Sequence, residues 1–238
     1  MKIAMMIVGY PRTWMECKDS YLKKFGQIDT FMTSYNMKYG YHPAVQGTIG
    51  DYNDEFLPRE YWIDAFAGVN MKMALIERYE DTDKIIRDEL PNIKLDIAEN
   101  AYSTYGQYRK LKTATDMVKE YEHKHGFKYD ILIRSRFDLV YNDEPMDYNI
   151  GNNELIYNAG SNTTSEFLSD QFFFGKRDDM INISEFVYNE FYNPVFTDSH
   201  LHPPHGILRN ALRNSNLNKV NRNVVKHLLR KNGIELML

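Results

Sequence analysis

KIAMMIVGYPRTW, residues 2–14, opens on an apolar run and is then cut off by glycine, proline and arginine. A strand with one wet face alternates apolar and polar side chains. A run that stays apolar predicts burial on both faces, as in a parallel sheet. Thr13 and Glu16 have the spacing of a capping box, which predicts a helix over about residues 14–25. IDTFMTSYN, residues 28–36, then reads as a second strand. Strand, helix, strand over this distance predicts a right-handed parallel crossover.

Further along, residues 36–56 show no sustained period and read as a long loop of the kind that is often functional. Pro58 to about Leu90 reads as one or two helices broken near Gly68. Tyr105, Tyr108, Leu111, Val118 and Tyr121 recur at helical spacing and predict a helix over 104–124. ILIRSRFDLVY, residues 131–141, reads as one strand, followed by two more at NELIYN and DQFFFG. Helices are expected over 177–191, 205–213 and 221–231, the last ending at an Asn-Gly stop. The alternation of strands and helices predicts an α/β fold with a mostly parallel sheet flanked by helices.

The 238 residues suit one substantial domain. A net charge of −4 argues against a partner bound through the phosphates of a nucleic acid polymer. Cys17 is the single cysteine, which excludes an internal disulfide and fits a reducing, cytoplasmic setting. No apolar run reaches the about 18 to 20 residues of a membrane span, and the first ten residues read as a strand rather than a signal peptide.

Chemistry gathers at strand ends. Ligands of open α/β sheets sit beyond the carboxyl ends of the strands. By alternation Arg134, Arg136 and Asp138 share one face of the strand at 131–141. Charges buried there must answer to each other, to water or to a ligand. Two readings stand: an internal pair network that holds the strand end, or a site for an anion. Arg12, just before a helix start, reads either as an anion contact or as a solvated arginine in a plain strand-to-helix turn. Arginine at two separate strand ends favours a diphosphate-bearing ligand, because a guanidinium fork bonds two phosphate oxygens at once.

Taken together, KIAMMIVGYPRTW, DTFMTSYN, YDILIRSRFDLVY and SDQFFFG resemble, in order and spacing, small viral and bacterial glycosyltransferases of GT-A fold that serve capsule and surface-glycan synthesis. The resemblance covers most of residues 1–180. It implies a single domain with a nucleotide-sugar-binding part (1–140) and an acceptor part (141–238), a nucleotide-diphosphate-sugar donor and a glycan acceptor. It puts Gly9, Tyr10, Pro11 and Arg12 at the base and ribose, and Tyr108, Arg109 and Lys110 at the nucleotide or its phosphates. A solvated helix face with one core tyrosine is the other reading of those last three.

The family usually holds Mn²⁺ or Mg²⁺ with an Asp-any-Asp motif after the central strand. Here the first of those positions is Arg136 and only Asp138 keeps the carboxylate. Either Asp138 holds the ion with phosphate oxygens, or Arg136 itself neutralises the departing phosphate. Asp198, His200, His202 and His205 of FTDSHLHPPHG either supply a further ligand, with His205 the best candidate, or edge a proline-rich loop near the acceptor entrance. Asp170 matches the position near the acceptor sugar and, in an inverting reaction, is the candidate base for the attacking hydroxyl; a cap of the turn before Gln171 is its other reading. A sugar-phosphate nucleotidyltransferase is the alternative enzyme, although VGYPRTW lacks the glycine-rich first loop with a lysine. A noncatalytic carbohydrate- or nucleotide-binding module is the alternative outside enzymes.

Overall fold

The computed structural model describes residues 1–38, 56–92, 101–158, 171–194, 203–229 and 235–237. The chain runs β1 (Ile3–Val8), α1 (Trp14–Phe25), β2 (Asp29–Tyr35), α2 (Arg59–Phe66), β3 (Met71–Glu77), α3 (Tyr79–Glu89), α4 (Ala101–His125), β4 (Ile131–Ser135) and β5 (Leu139–Tyr141). It continues through β6 (Glu154–Tyr157), β7 (Phe173–Lys176), α5 (Arg177–Glu190), α6 (Pro203–Ser215), β8 (Asn218–Asn221), β9 (Val225–Leu229) and β10 (Glu235–Met237).

Seven strands form one sheet in the order β3-β2-β1-β4-β7-β6-β8. β1, β2, β3 and β4 are parallel, and β7 is antiparallel to both of its neighbours, so it alone runs against the other strands. Strands from both halves of the chain enter this sheet, which makes one α/β domain. A smaller antiparallel sheet has the order β10-β9-β5.

The central strand behaves as its composition demands. Ala4, Met6 and Val8 join a core with Tyr105, Tyr108, Leu111 and Val118 of α4 and with Ile183 and Val187 of α5. Met5 and Ile7 face the other way, into a core with Trp14, Tyr21 and Phe25 of α1, Trp62 of α2, and Leu139 and Tyr141 of β5. Each layer buries one face of the sheet, and the helices α1 and α4 flank the same strand.

Four expectations change. The stretch between Pro58 and Leu90 contains β3 between its two helices. Met71-Lys-Met-Ala-Leu-Ile-Glu77 is made largely of good helix formers, but parallel pairing with β2 outweighs that preference. The expected helix at 221–231 is strand: β9 pairs with β5 and with β10. Asn232-Gly233, read as a helix stop, lies outside the described residues.

The single strand expected over 131–141 is two. β4 stops at Ser135, where its partner ladder with β1 ends at Ile7, and the chain turns and enters the small sheet as β5. Finally, the Thr13–Glu16 capping box does not form. Thr13 lies at φ −106°, ψ 28°, outside the extended geometry that a capping residue adopts, and makes no side-chain cap bond. Its carbonyl instead accepts from the amides of Glu16 and Cys17, both at 3.1 Å.

Among the described residues no helix is long and apolar enough to cross a membrane.

Candidate functional site

From β1 the chain builds outward to β2 and β3 and then returns to the other side of β1 as β4, so strand order reverses between β1 and β4. The crevice beyond the carboxyl ends of two such strands is where open α/β sheets take ligands. Residues 9–12 leave β1 at that edge and residues 136–138 leave β4 beside them.

The first loop is tied to β2. The Gly9 amide donates to the Thr33 carbonyl at 3.2 Å, and the Ser34 hydroxyl donates to the Gly9 carbonyl at 2.9 Å. Gly9 adopts φ +118°, open to glycine and strained for any other residue. There is space for a β-carbon here, so Gly9→Ala tests the backbone alone. It should cost about 1–3 kcal/mol, read as a fall in Tm by calorimetry. Arg12 also sits in the left-handed region, at φ 32°. Strain of this kind costs about 1–2 kcal/mol in a residue with a side chain and gathers at ligand clamps. The Arg12 amide donates to the Lys38 carbonyl at 3.1 Å.

What the strained turn achieves is a meeting of charges. Arg12 Nη1 donates to Asp138 Oδ2 at 3.0 Å. Arg136 grips the same carboxylate with its fork, Nε to Oδ1 at 2.9 Å and Nη2 to Oδ2 at 2.6 Å. Asp138 is 1% exposed, whereas Arg12 and Arg136 keep 23% and 16% of their side-chain surface open. Two guanidinium groups therefore share one carboxylate, with the anion inside and the cations toward the surface. Between them Phe137 is buried and meets the Trp14 ring edge-on at 5.7 Å, while Trp14 Nε1 donates to the Ala65 carbonyl at 3.0 Å. This aromatic contact locks the turn after β4 to the start of α1.

Arg134 does not join this group through shared strand alternation, because the strand ends before Arg136. It lies within β4, 1% exposed, with its guanidinium 5.7 Å from the centre of the Phe173 ring. The helix candidates also divide. Tyr108 is buried in the core against Phe191. Arg109 and Lys110 turn to Glu77 at the end of β3: Arg109 Nη1 donates at 2.9 Å and Lys110 Nζ at 2.7 Å. Lys110 is 0% exposed and also donates to the Ser34 carbonyl at 2.8 Å.

Burial pushes the Glu77 carboxyl up, but Lys110 and Arg109 outweigh it and hold it at about 2. Burial pushes the Lys110 ammonium down to about 8, against the pull of Glu77. Glu77 is not legible as a site residue in the sequence, because it ends β3, a stretch whose residues favour helix.

Asp170, Asp198, His200 and His202 lie outside the described residues, and of His205 only its place in α6 is described. The fit of a divalent ion rests on Asp138. Mn²⁺ and Mg²⁺ need several oxygen ligands, and both Asp138 oxygens accept from guanidinium groups that repel a cation. Among the described residues no group of three His, Cys, Asp or Glu is arranged to hold a metal. The donor set described here does not fit the ion.

Two other features are set aside on physical grounds. Burial pushes the Cys17 thiol up to about 12, which leaves it unreactive. A groove of about 540 Å³ opens at the opposite edge of the sheet, lined among others by Lys128, Asp130, Tyr148 and Lys176. It lies at the amino end of β4, the wrong end for the strand-order argument, and its Asp130 and Arg177 are already paired with neighbours.

No family model matches the chain, and no curated protein matches it.

Proposed function

We propose that the chain is a glycosyltransferase of GT-A type, moving a sugar from a nucleotide-diphosphate sugar to a hydroxyl of a glycan or related acceptor. The observation that carries this reading is the convergence of Arg12 and Arg136, from two different strand ends, on Asp138 beside the point where strand order reverses. The sequence resemblance, carried partly by the same two loops, points the same way.

The chemistry asks for positive charge at one place. As the glycosidic bond breaks, the sugar gains oxocarbenium character and the diphosphate leaves with growing negative charge. Fixed cations at the diphosphate stabilise that transition state more than the ground state. In this proposal Arg12 and Arg136 supply them, and Arg136 takes the departing phosphate in its fork in exchange for Asp138. Residues 9–11 face the base and ribose. Asp170 takes the proton of the attacking hydroxyl, and the part after residue 141 shapes the acceptor pocket.

Thermal melts with a panel of UDP- and GDP-sugars, with and without Mn²⁺, test the reading. A donor at about 100 times its Kd stabilises by about 2.7 kcal/mol. For a chain of this size each kcal/mol moves Tm by about 2–4 °C, so a matching donor should raise Tm by several degrees and release free nucleotide on incubation with acceptor. A shift with nucleoside triphosphate plus sugar phosphate, and none with any nucleotide sugar, would instead mark a nucleotidyltransferase. A shift without nucleotide release under any acceptor would mark a binding module.

A further inference from the structure

Tyr10 is the half-exposed end of a chain of contacts that begins inside the protein. Its ring lies 4.5 Å from that of Tyr35 with 29° between the planes, the separation of an offset stack. Tyr35 is buried at the end of β2, and Tyr79 meets it edge-on at 6.2 Å. Lys110 Nζ stands 4.1 Å from the centre of the same ring. Lys110 is held in turn by Glu77 and by the Ser34 carbonyl. A desolvated cation over a tyrosine face is a strong version of this contact.

Lys110 cannot serve a ligand from this position. Reaching one would strip Glu77 of its partner and abandon both hydrogen bonds, at a cost that a single phosphate contact does not offset. The group instead fixes a ring. A tyrosine on a loop loses rotamer freedom when a ligand stacks on it, and a ring already held against a buried neighbour has less to lose.

We infer that Tyr35, Lys110 and Glu77 are positioning residues that hold the Tyr10 ring ready as the stacking surface for the donor's nucleobase. The inference rests on the glycosyltransferase reading and adds to it the residues from β2, β3 and α4 on which base recognition depends.

Calorimetric titration of the full chain with UDP, GDP and inorganic pyrophosphate separates base from phosphate recognition. Tyr10→Leu and Tyr35→Leu should each weaken the preferred nucleotide about 10-fold, the scale of one base–aromatic stack, and leave pyrophosphate binding unchanged. Tyr35→Phe keeps the ring and should keep nucleotide affinity. Lys110→Met, which retains an apolar stem in the core, should reproduce the nucleotide-only loss even if Tyr35→Leu fails to fold. Equal losses on nucleotide and pyrophosphate would reduce the group to a structural role and overturn the inference, as would unchanged nucleotide binding in Tyr10→Leu. A wild-type chain that binds neither nucleotide overturns the glycosyltransferase reading and this inference with it.

Discussion

Arg136→Ala is expected to lower glycosyl transfer by about 10²–10³-fold, the loss typical when one preorganised donor to a developing negative charge is removed. The loss should fall on kcat, because the charge on the leaving diphosphate grows in the transition state. Stability should change little by comparison, since Asp138 keeps Arg12 as a partner at 3.0 Å and Arg136 is partly open to water. Asp138→Asn should also lower turnover, by releasing the two guanidinium groups from the carboxylate that positions them, and the structure adds a cost to that variant. A carboxylate 1% exposed is replaced by a neutral amide that leaves two guanidinium groups facing each other. Its activity is therefore to be read beside its melting curve, whereas Arg136→Ala reports on chemistry directly.

Glu77→Gln should be the most destabilising of the conservative changes considered. Lys110 is 0% exposed and would keep its ammonium in the core without a counter-charge. Breaking a buried pair by neutralising one partner costs about 3–5 kcal/mol, or a fall in Tm of roughly 10 °C for a chain of this size. The double variant Glu77→Gln, Lys110→Met should recover much of that loss, because it removes the fully buried ammonium and leaves only Arg109, which is partly open to water, without its carboxylate.

The pH dependence has a definite sign. Glu77 titrates near 2 in the folded chain, below its ordinary 4.5. The unfolded chain therefore takes up its proton first as acid is added. The contribution of Glu77 is fully present above its ordinary value and is lost as pH falls from there toward 2. Denaturant melts of wild type and Glu77→Gln across that window should converge toward the acid end. Parallel curves would show that the pair contributes nothing specific to acid stability.

Much of this architecture is legible in residue order. Residues 3–8 declare a doubly buried strand because every side chain is apolar, and the α4 stripe declares itself by period. β3 is hidden because it is an edge strand, half-exposed and built of residues that also favour helix, so nothing local distinguishes it until β2 pairs with it. β9 is hidden for a related reason: one of its partners, β5, lies far away in sequence.

The site divides along the same line. Arg12, Arg136 and Asp138 could be singled out because charge at the end of an apolar strand is costly and conspicuous. That they touch one another follows only from the β1–β4 register and from the turn that ends β4 at Ser135. The same turn ends the strand alternation on which Arg134, Arg136 and Asp138 share one face. Arg109 and Lys110 looked like phosphate contacts because their partner, Glu77, stands on the strand that could not be read.

A crystal structure of the chain with a bound nucleoside diphosphate tests the central claim most directly. The account predicts phosphate oxygens within about 3 Å of the guanidinium groups of Arg12 and Arg136, the distance of charge-assisted hydrogen bonds, beyond the carboxyl ends of β1 and β4. A nucleotide seated elsewhere, with both arginines still closed on Asp138, would contradict it.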